Sequence, residues 1–210
     1  MSQDPYFTEL ERTKKEFFHM GELAQNALAD ALLGLTASDA AAASRARALE
    51  AEIDALNRTL NAGCLRLMTL WTPVAGDARL VTGMLGAIVD LELIGDYADD
   101  IAVLVQDMPK RPTSGVLLEF ATLGQKVQDM LAQAADRWRA VEKAGELSLR
   151  PAQTVIKRSC NDLMSKVAQL RPTPGNVVNV ALILTCKYLE RIASHSVSLA
   201  EQAAFVSSAI

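Results

Sequence analysis

Apolar residues recur every three or four positions along almost the whole chain, and only a few turns containing Pro, Gly or Asp interrupt them, which leaves little choice but long helices. In the first segment, from about Tyr6 to Gly34, Phe17, Met20, Leu23, Ala24, Ala27, Leu28, Ala31 and Leu32 form one stripe, the pattern of a helix that buries one face. Ser38-Asp39 then offers an N-cap, and a second segment continues to about Trp71. Thr72-Pro73-Val74-Ala75-Gly76-Asp77 breaks it and supplies caps for a third segment that ends near Asp107. Pro109-Lys110-Arg111-Pro112-Thr113-Ser114-Gly115 reads as a linker. Three more segments follow, to about Ala144, from about Leu147 to Leu170, and from about Asn176 to Phe205 after Arg171-Pro172-Thr173-Pro174-Gly175.

Both halves therefore read as helix, short turn, helix, Pro-containing turn, helix. Short connections make neighbouring helices antiparallel, so the expected fold is all-α, with two tandem antiparallel three-helix bundles related by an internal repeat. The boundaries fall at residues 1–108 for the first bundle and 114–210 for the second. No segment shows the period-two alternation of a strand.

Composition excludes several functional classes. A formal net charge of -4 and a pI near 5.3 argue against a nucleic-acid binder, which needs a basic face to neutralise phosphates. No apolar run approaches the roughly 20 residues that span a bilayer, and Ser2-Gln3-Asp4-Pro5 lacks the basic and apolar regions of a signal peptide. The expected location is cytoplasmic. Cys64, Cys160 and Cys186 have no paired spacing, so they are read as buried, reduced thiols rather than zinc ligands or disulfides.

The most polar part of the repeat is an acidic ladder. On a helix at about 100° per residue, Glu92, Asp96 and Asp99 fall within a sector of roughly 60°, with Asp100 beside it. Like charges four residues apart repel. The second segment carries Glu50, Asp54, Asn57 and Asn61 on an equally narrow face. If the hairpin turns at Pro73 and Val74, Asp54 lies level with Leu93 and Glu50 with Tyr97, so the two acidic pairs meet at one height. Converging carboxylates suit a divalent cation such as Mg2+, Mn2+ or iron; a row of charges is equally what a solvated helix face looks like. Glu16, His19 and Glu22 of the first segment would join this patch if they point toward it. The spacing of Glu16 and His19 is that of a di-iron carboxylate bundle, but such a site needs a second copy, and the chain has none.

The ladder reappears in altered form at Leu189-Glu190-Arg191-Ile192-Ala193-Ser194-His195. Together with Met20-Gly21, the turn built from Pro73, Val74, Ala75, Asp77 and Arg79, the run Leu91-Glu92 through Ile101-Ala102, and Leu199-Ala200-Glu201, it resembles the PhoU family of phosphate-signalling regulators over nearly the whole chain. The resemblance implies tandem three-helix bundles and a cytoplasmic negative regulator of phosphate uptake and phosphate-starvation signalling. It implies as partners the ATPase subunit of a Pst-type ABC phosphate transporter and a phosphate-sensing histidine kinase, and it implies a homodimer. It also implies a metal site, divalent or multinuclear, with iron, Mn, Mg and Zn all open, at Glu50, Asp54, Glu92, Asp96 and Asp100.

The second half departs from that pattern, because Ser194 and Ser198 stand where the family has Asp and often Asn. A turn near Thr173 places Ile156 level with Glu190, flanked by Lys157 and Arg158, so a salt bridge replaces a metal there. His195 lies five residues from Glu190 and faces elsewhere, as a surface or capping histidine. No nucleophile with an adjacent base, no phosphate-cradling Gly loop and no paired His ligands are present. The expectation is a non-enzymatic adaptor, with a metal-free helical scaffold as the alternative and a carboxylate-metal enzyme disfavoured.

Overall fold

The computed structural model describes residues 5–109, 112–141, 148–171 and 177–208. Within them lie six helices: α1 (Pro5–Ala37), α2 (Ala40–Leu70), α3 (Ala75–Gln106), α4 (Ser114–Arg139), α5 (Arg150–Ala168) and α6 (Val177–Ser207). No strand occurs among the described residues. α1, α2 and α3 pack on one another, as do α4, α5 and α6, giving the tandem three-helix arrangement. The two sets meet where α3 packs along α6 and α1 against α4.

Local chemistry sets the helix ends. Asp39 caps α2 as expected, its side chain accepting from the backbone N–H groups of Ala41 and Ala42 at 2.9 and 3.0 Å. Ser38, before it, adopts a φ of 57° to turn the chain. α1 runs past Gly34 to Ala37, because Gly34 is an interior packing residue: a Cβ there would meet that of Ala43 at 3.1 Å.

The entry to α3 differs from the expected capping. Its N-cap is Val74, with no side-chain cap bond. Thr72 instead makes the turn with a φ of 40°. Asp77 lies in the first turn, where a carboxylate complements the helix dipole, and, after burial, its nearness holds the Tyr6 phenol above its usual range.

α4 stops at Arg139, short of the expected end, and α5 starts at Arg150, later than expected. Pro151 occupies its first turn, the one helical place where a missing N–H costs nothing. Ala144 and Leu147, which were expected to bound these helices, lie outside the described residues, as do Lys110 and Arg111 of the linker and Pro172 to Asn176.

A single apolar cluster runs through both halves, from Leu28 and Ile53 in the first to Phe120, Leu163 and Leu189 in the second. Trp138 of α4 ties it together. Its side chain is 3% exposed, its ring meets Phe17 of α1 edge-on at 4.8 Å between centroids, and its indole N–H donates to the Leu199 carbonyl of α6 at 2.9 Å. Beyond it, Arg79 of α3 lies over the Phe205 ring of α6 at 5.5 Å.

The three thiols are buried and free, as the sequence implied. Burial pushes Cys64 up to about 11 and Cys160 and Cys186 up to about 12, so they remain protonated at neutral pH.

Trp138→Ala is expected to lower unfolding free energy by about 3–5 kcal/mol, the cost of emptying a large aromatic site. Trp138→Phe, which keeps a ring but drops the hydrogen bond, is expected to cost about 1 kcal/mol from that bond, plus a small packing loss. Urea unfolding of the two variants beside the wild type measures both.

Candidate metal centre

The acidic ladders of α2 and α3 come together because α3 has a glycine at their meeting point. Ile53 of α2 is buried against Gly95 of α3, where an added Cβ would lie 2.9 Å from Ile53 Cδ1 and 3.2 Å from its Cγ2. The next residue in each helix is an acid, Asp54 and Asp96. Close approach at Ile53 and Gly95 therefore brings those two carboxylates together, with Glu50 one turn earlier on α2.

One carboxylate oxygen from each of Glu50, Asp54 and Asp96 lies within 4.8 Å of the other two. All three side chains are half-buried. Of the five expected ligands these three converge directly; Glu92 and Asp100 stand beside them on α3 and act on Asp96 through their charge. Burial first, and then the carboxylates of Asp54, Asp99 and Asp96, push the Glu50 carboxyl above its usual range. Asp96 is raised in the same way, by burial and then by Glu92, Asp54, Asp100 and Asp99. This is what an acidic cluster looks like when its repulsion is only partly relieved.

Two arginines supply that partial relief. Arg58 Nη1, well exposed, lies 3.4 Å from Asp54 Oδ2, and Arg47 Nε lies 3.1 Å from Asp99 Oδ1. Neither crosses the triad to contact Glu50 or Asp96 within salt-bridge distance among the described residues. Oxygen-only donors at this spacing match what hard divalent cations take.

The first helix does not contribute to the triad. Glu16 faces Arg12 at 3.7 Å, Glu22 reaches Arg139 of α4 at 3.4 Å, and His19 is exposed. Their helix positions turn Glu16 and Glu22 toward cations on other faces and leave His19 facing solvent.

The corresponding place in the second half is filled by cations from the chain itself. Glu190 lies 3.8 Å from Lys157 Nζ and 2.9 Å from Lys187 Nζ. Ser194, where an acid would complete the pattern, accepts from Gln153 Nε2 at 3.1 Å. The expected bridge to Lys157 is present, while Lys187 is an addition: it precedes Glu190 by three residues, a spacing at which helical side chains meet.

His195 corrects the expectation of a surface or capping residue. It does face away from Glu190, but α6 lies along α3, so that direction is inward. His195 Nδ1 lies 2.9 Å from Asp90 Oδ1, with Asp90 only 6% exposed. The imidazole stacks on Tyr97 at 5.8 Å, and Tyr97 stacks on Tyr188 at 5.7 Å. Burial, and then the charge of the Asp100 carboxylate, push the Tyr188 phenol above its usual range. None of these contacts was read from the sequence. The available signal was that two of the chain's three tyrosines lie inside the repeated motifs.

The fold and this cluster together define a class: a tandem three-helix-bundle protein whose first half carries a carboxylate face and whose second half has lost it. Residues 17–105 match the PhoU domain model. The phosphate-specific transport system accessory protein PhoU homolog of Synechocystis is 28% identical over 204 residues, covering 96% of this chain and 91% of the relative. The corresponding Pseudomonas aeruginosa protein is 28% identical over 198 residues, covering 92% and 81%. Among solved structures, PhoU from Pseudomonas aeruginosa shares the fold with a TM-score of 0.77 at 22% identity, covering 98% of this chain and 100% of that one. The phosphate transport system regulatory protein PhoU from Streptococcus pneumoniae does so with a TM-score of 0.80 at 19% identity, covering 98% of each. Residues 17–105 thus match a PhoU domain, and the chain is similar to PhoU proteins along nearly its whole length.

Removing one charge from the triad tests its electrostatics without any cation. Asp96→Asn in metal-stripped protein is expected to raise the thermal midpoint at pH 7. An acid whose carboxyl is raised on folding is destabilising when ionised, and the penalty disappears as pH falls through its raised range toward the ordinary value. The midpoints of variant and wild type should therefore converge on acidification. Midpoints that differ equally at all pH values would contradict this assignment of the repulsion.

Proposed function

We propose that the protein is an accessory regulator of phosphate transport that works by binding rather than by catalysis. The observation that carries this reading is similarity, along nearly the whole chain, to proteins named as phosphate-specific transport system accessory proteins. In this reading the protein is cytoplasmic, and no helix among the described residues is long and apolar enough to cross a membrane. Its partners are the ATPase subunit of a Pst-type ABC transporter and a phosphate-sensing histidine kinase, between which it is a homodimeric adaptor that represses uptake and starvation signalling. The two halves, 1–108 and 114–210, are its functional units. Regulation of this kind requires the adaptor to bind one state of a partner better than another, since equal affinity for both states shifts nothing.

The first half holds a divalent or multinuclear metal, with Glu50, Asp54 and Asp96 as the core ligands and Glu92 and Asp100 as flanking ones. Bound there, the metal offsets the mutual repulsion of the triad and presents a positive centre on an acidic face, a place for carboxylates or phosphoryl groups of a partner to attach. The second half carries none, because Lys157 and Lys187 already balance Glu190.

A second reading is a metal-independent helical scaffold. It is favoured by Arg58 and Arg47, which already shield the edges of the cluster.

Elemental analysis of freshly purified wild type and of the Glu92→Ala, Asp96→Ala double variant separates the two readings. Metal present in the first and absent from the second, with helicity unchanged by circular dichroism, is expected. Metal in neither leaves the scaffold reading. The regulatory role is tested separately: deletion of the gene is expected to leave phosphate-uptake genes expressed in phosphate-rich medium. Repression that persists without the gene would refute the role.

A further inference from the structure

We propose that a second copy of this chain docks on the side where the acidic strip of α2 and α3 lies beside the basic strip of α5 and α6, each strip seating on the opposite strip of the partner. The inference rests on the homodimer of the reading above and assigns its interface.

The internal repeat fixes where the two strips lie. α6 repeats α3 with a shift of 98 residues, pairing Leu91 with Leu189, Ile94 with Ile192 and Glu92 with Glu190. α5 repeats α2 with a shift of 103, pairing Ile53 with Ile156, Leu60 with Leu163 and Asp54 with Lys157. All of these apolar mates are buried. α3 and α6 run antiparallel, because Asp90 meets His195 while Tyr97, further along α3, meets Tyr188, further back on α6. α1 and α4 are antiparallel too, with Phe17 against Trp138 and Leu32 against Gly124. Antiparallel mates are exchanged by a two-fold axis perpendicular to the plane they share, and such an axis keeps equivalent strips on one side of the molecule. The same contacts set Glu190 level with Gly95, so the strips also share one height.

That side is polarised. The first-half strip carries Glu50, Asp54, Glu92, Asp96, Asp99 and Asp100 against Arg47 and Arg58, so it stays negative even with a dication bound. The second-half strip carries Lys157, Arg158, Lys187 and Arg191 around one acid, Glu190. Arg158 and Arg191 are exposed and have no ion pair among the described residues. Half-exposed Tyr97, Tyr188 and His195 lie on the line between the strips. Aromatic rings framed by complementary charge are what the centre and rim of a protein interface are built from.

Two copies can meet face to face on this side about a two-fold axis in either of two directions. An axis running across the helices sets acid on acid and base on base. An axis running along them sets each acidic strip on the basic strip of the partner, twice over, with both aromatic lines at the centre. Charge selects the second arrangement.

Sedimentation equilibrium at micromolar concentration tests this on wild type and two double variants, with circular dichroism to check that each is folded. Arg158→Glu, Arg191→Glu reverses the second-half strip, and Glu92→Lys, Asp100→Lys reverses the first-half strip. Wild type is expected to dimerise, less tightly as salt is added. Each variant alone is expected to lose about tenfold or more in dimer affinity, because like charges then face one another. Mixed in equal amounts, the two variants are expected to form a heterodimer, since every facing pair of strips is again opposite in sign. A dimer that neither variant weakens, or a mixture as monomeric as its components, would overturn this interface and leave the homodimer to another face. Wild type that stays monomeric would overturn the interface and the homodimer together.

Discussion

Everything in this molecule hangs on the seam between the third helix of each half. α3 and α6 are the most apolar helices in content, with Ile88, Leu91, Ile94 and Ile101 on one and Leu182, Leu189 and Ile192 on the other among the fully buried side chains. Each serves two masters: it closes its own three-helix bundle and provides the surface on which the other bundle rests. A helix asked to bury most of its circumference has few positions left for polar groups. The polar groups that α3 does carry are therefore crowded onto the strip facing α2 and along the edge of the seam, where Asp90, Tyr97 and Asp100 meet His195 and Tyr188.

This crowding explains where the two halves differ. The two halves keep the same apolar skeleton, because any loss there opens a cavity in a core that both share. The half-exposed strip is freer to change. In the first half it gathers Glu50, Asp54 and Asp96, held close by the small profile of Gly95 beneath Ile53. In the second half the equivalent strip has Ser194 in place of an acid and Lys157 and Lys187 around Glu190. The same scaffold thus presents one face that calls for a positive partner and one that has supplied its own.

Much of this was legible in the residues. The three- and four-residue apolar rhythm and the Pro-containing turns gave six helices and their order, and antiparallel level-counting across Pro73 placed Glu50 and Asp54 opposite the Asp96 turn. Helix ends were less legible where backbone geometry decides: Val74 rather than a hydroxyl or carboxylate caps α3, and Pro151 delays α5. The long-range seam was not legible. Counting levels works across a short turn, but α3 and α6 are separated by two other helices, so nothing in spacing alone says that His195 finds Asp90 or that Tyr188 finds Tyr97. Lys187 was legible in principle, since it precedes Glu190 by three residues on the same helix.

The two lysines around Glu190 have a consequence for what that acid requires of its surroundings. A counter-ion drawn from solution is present only in proportion to its concentration, whereas an ammonium group on a side-chain tether stays at a high effective concentration beside its acid whatever the medium contains. Salt still screens so exposed a pair, but Glu190 needs no ion from solution, whereas among the described residues no tethered cation lies within salt-bridge distance of Glu50 or Asp96. The two ends of one molecule therefore differ in where their counter-charge comes from: one carries it, and the other must meet it.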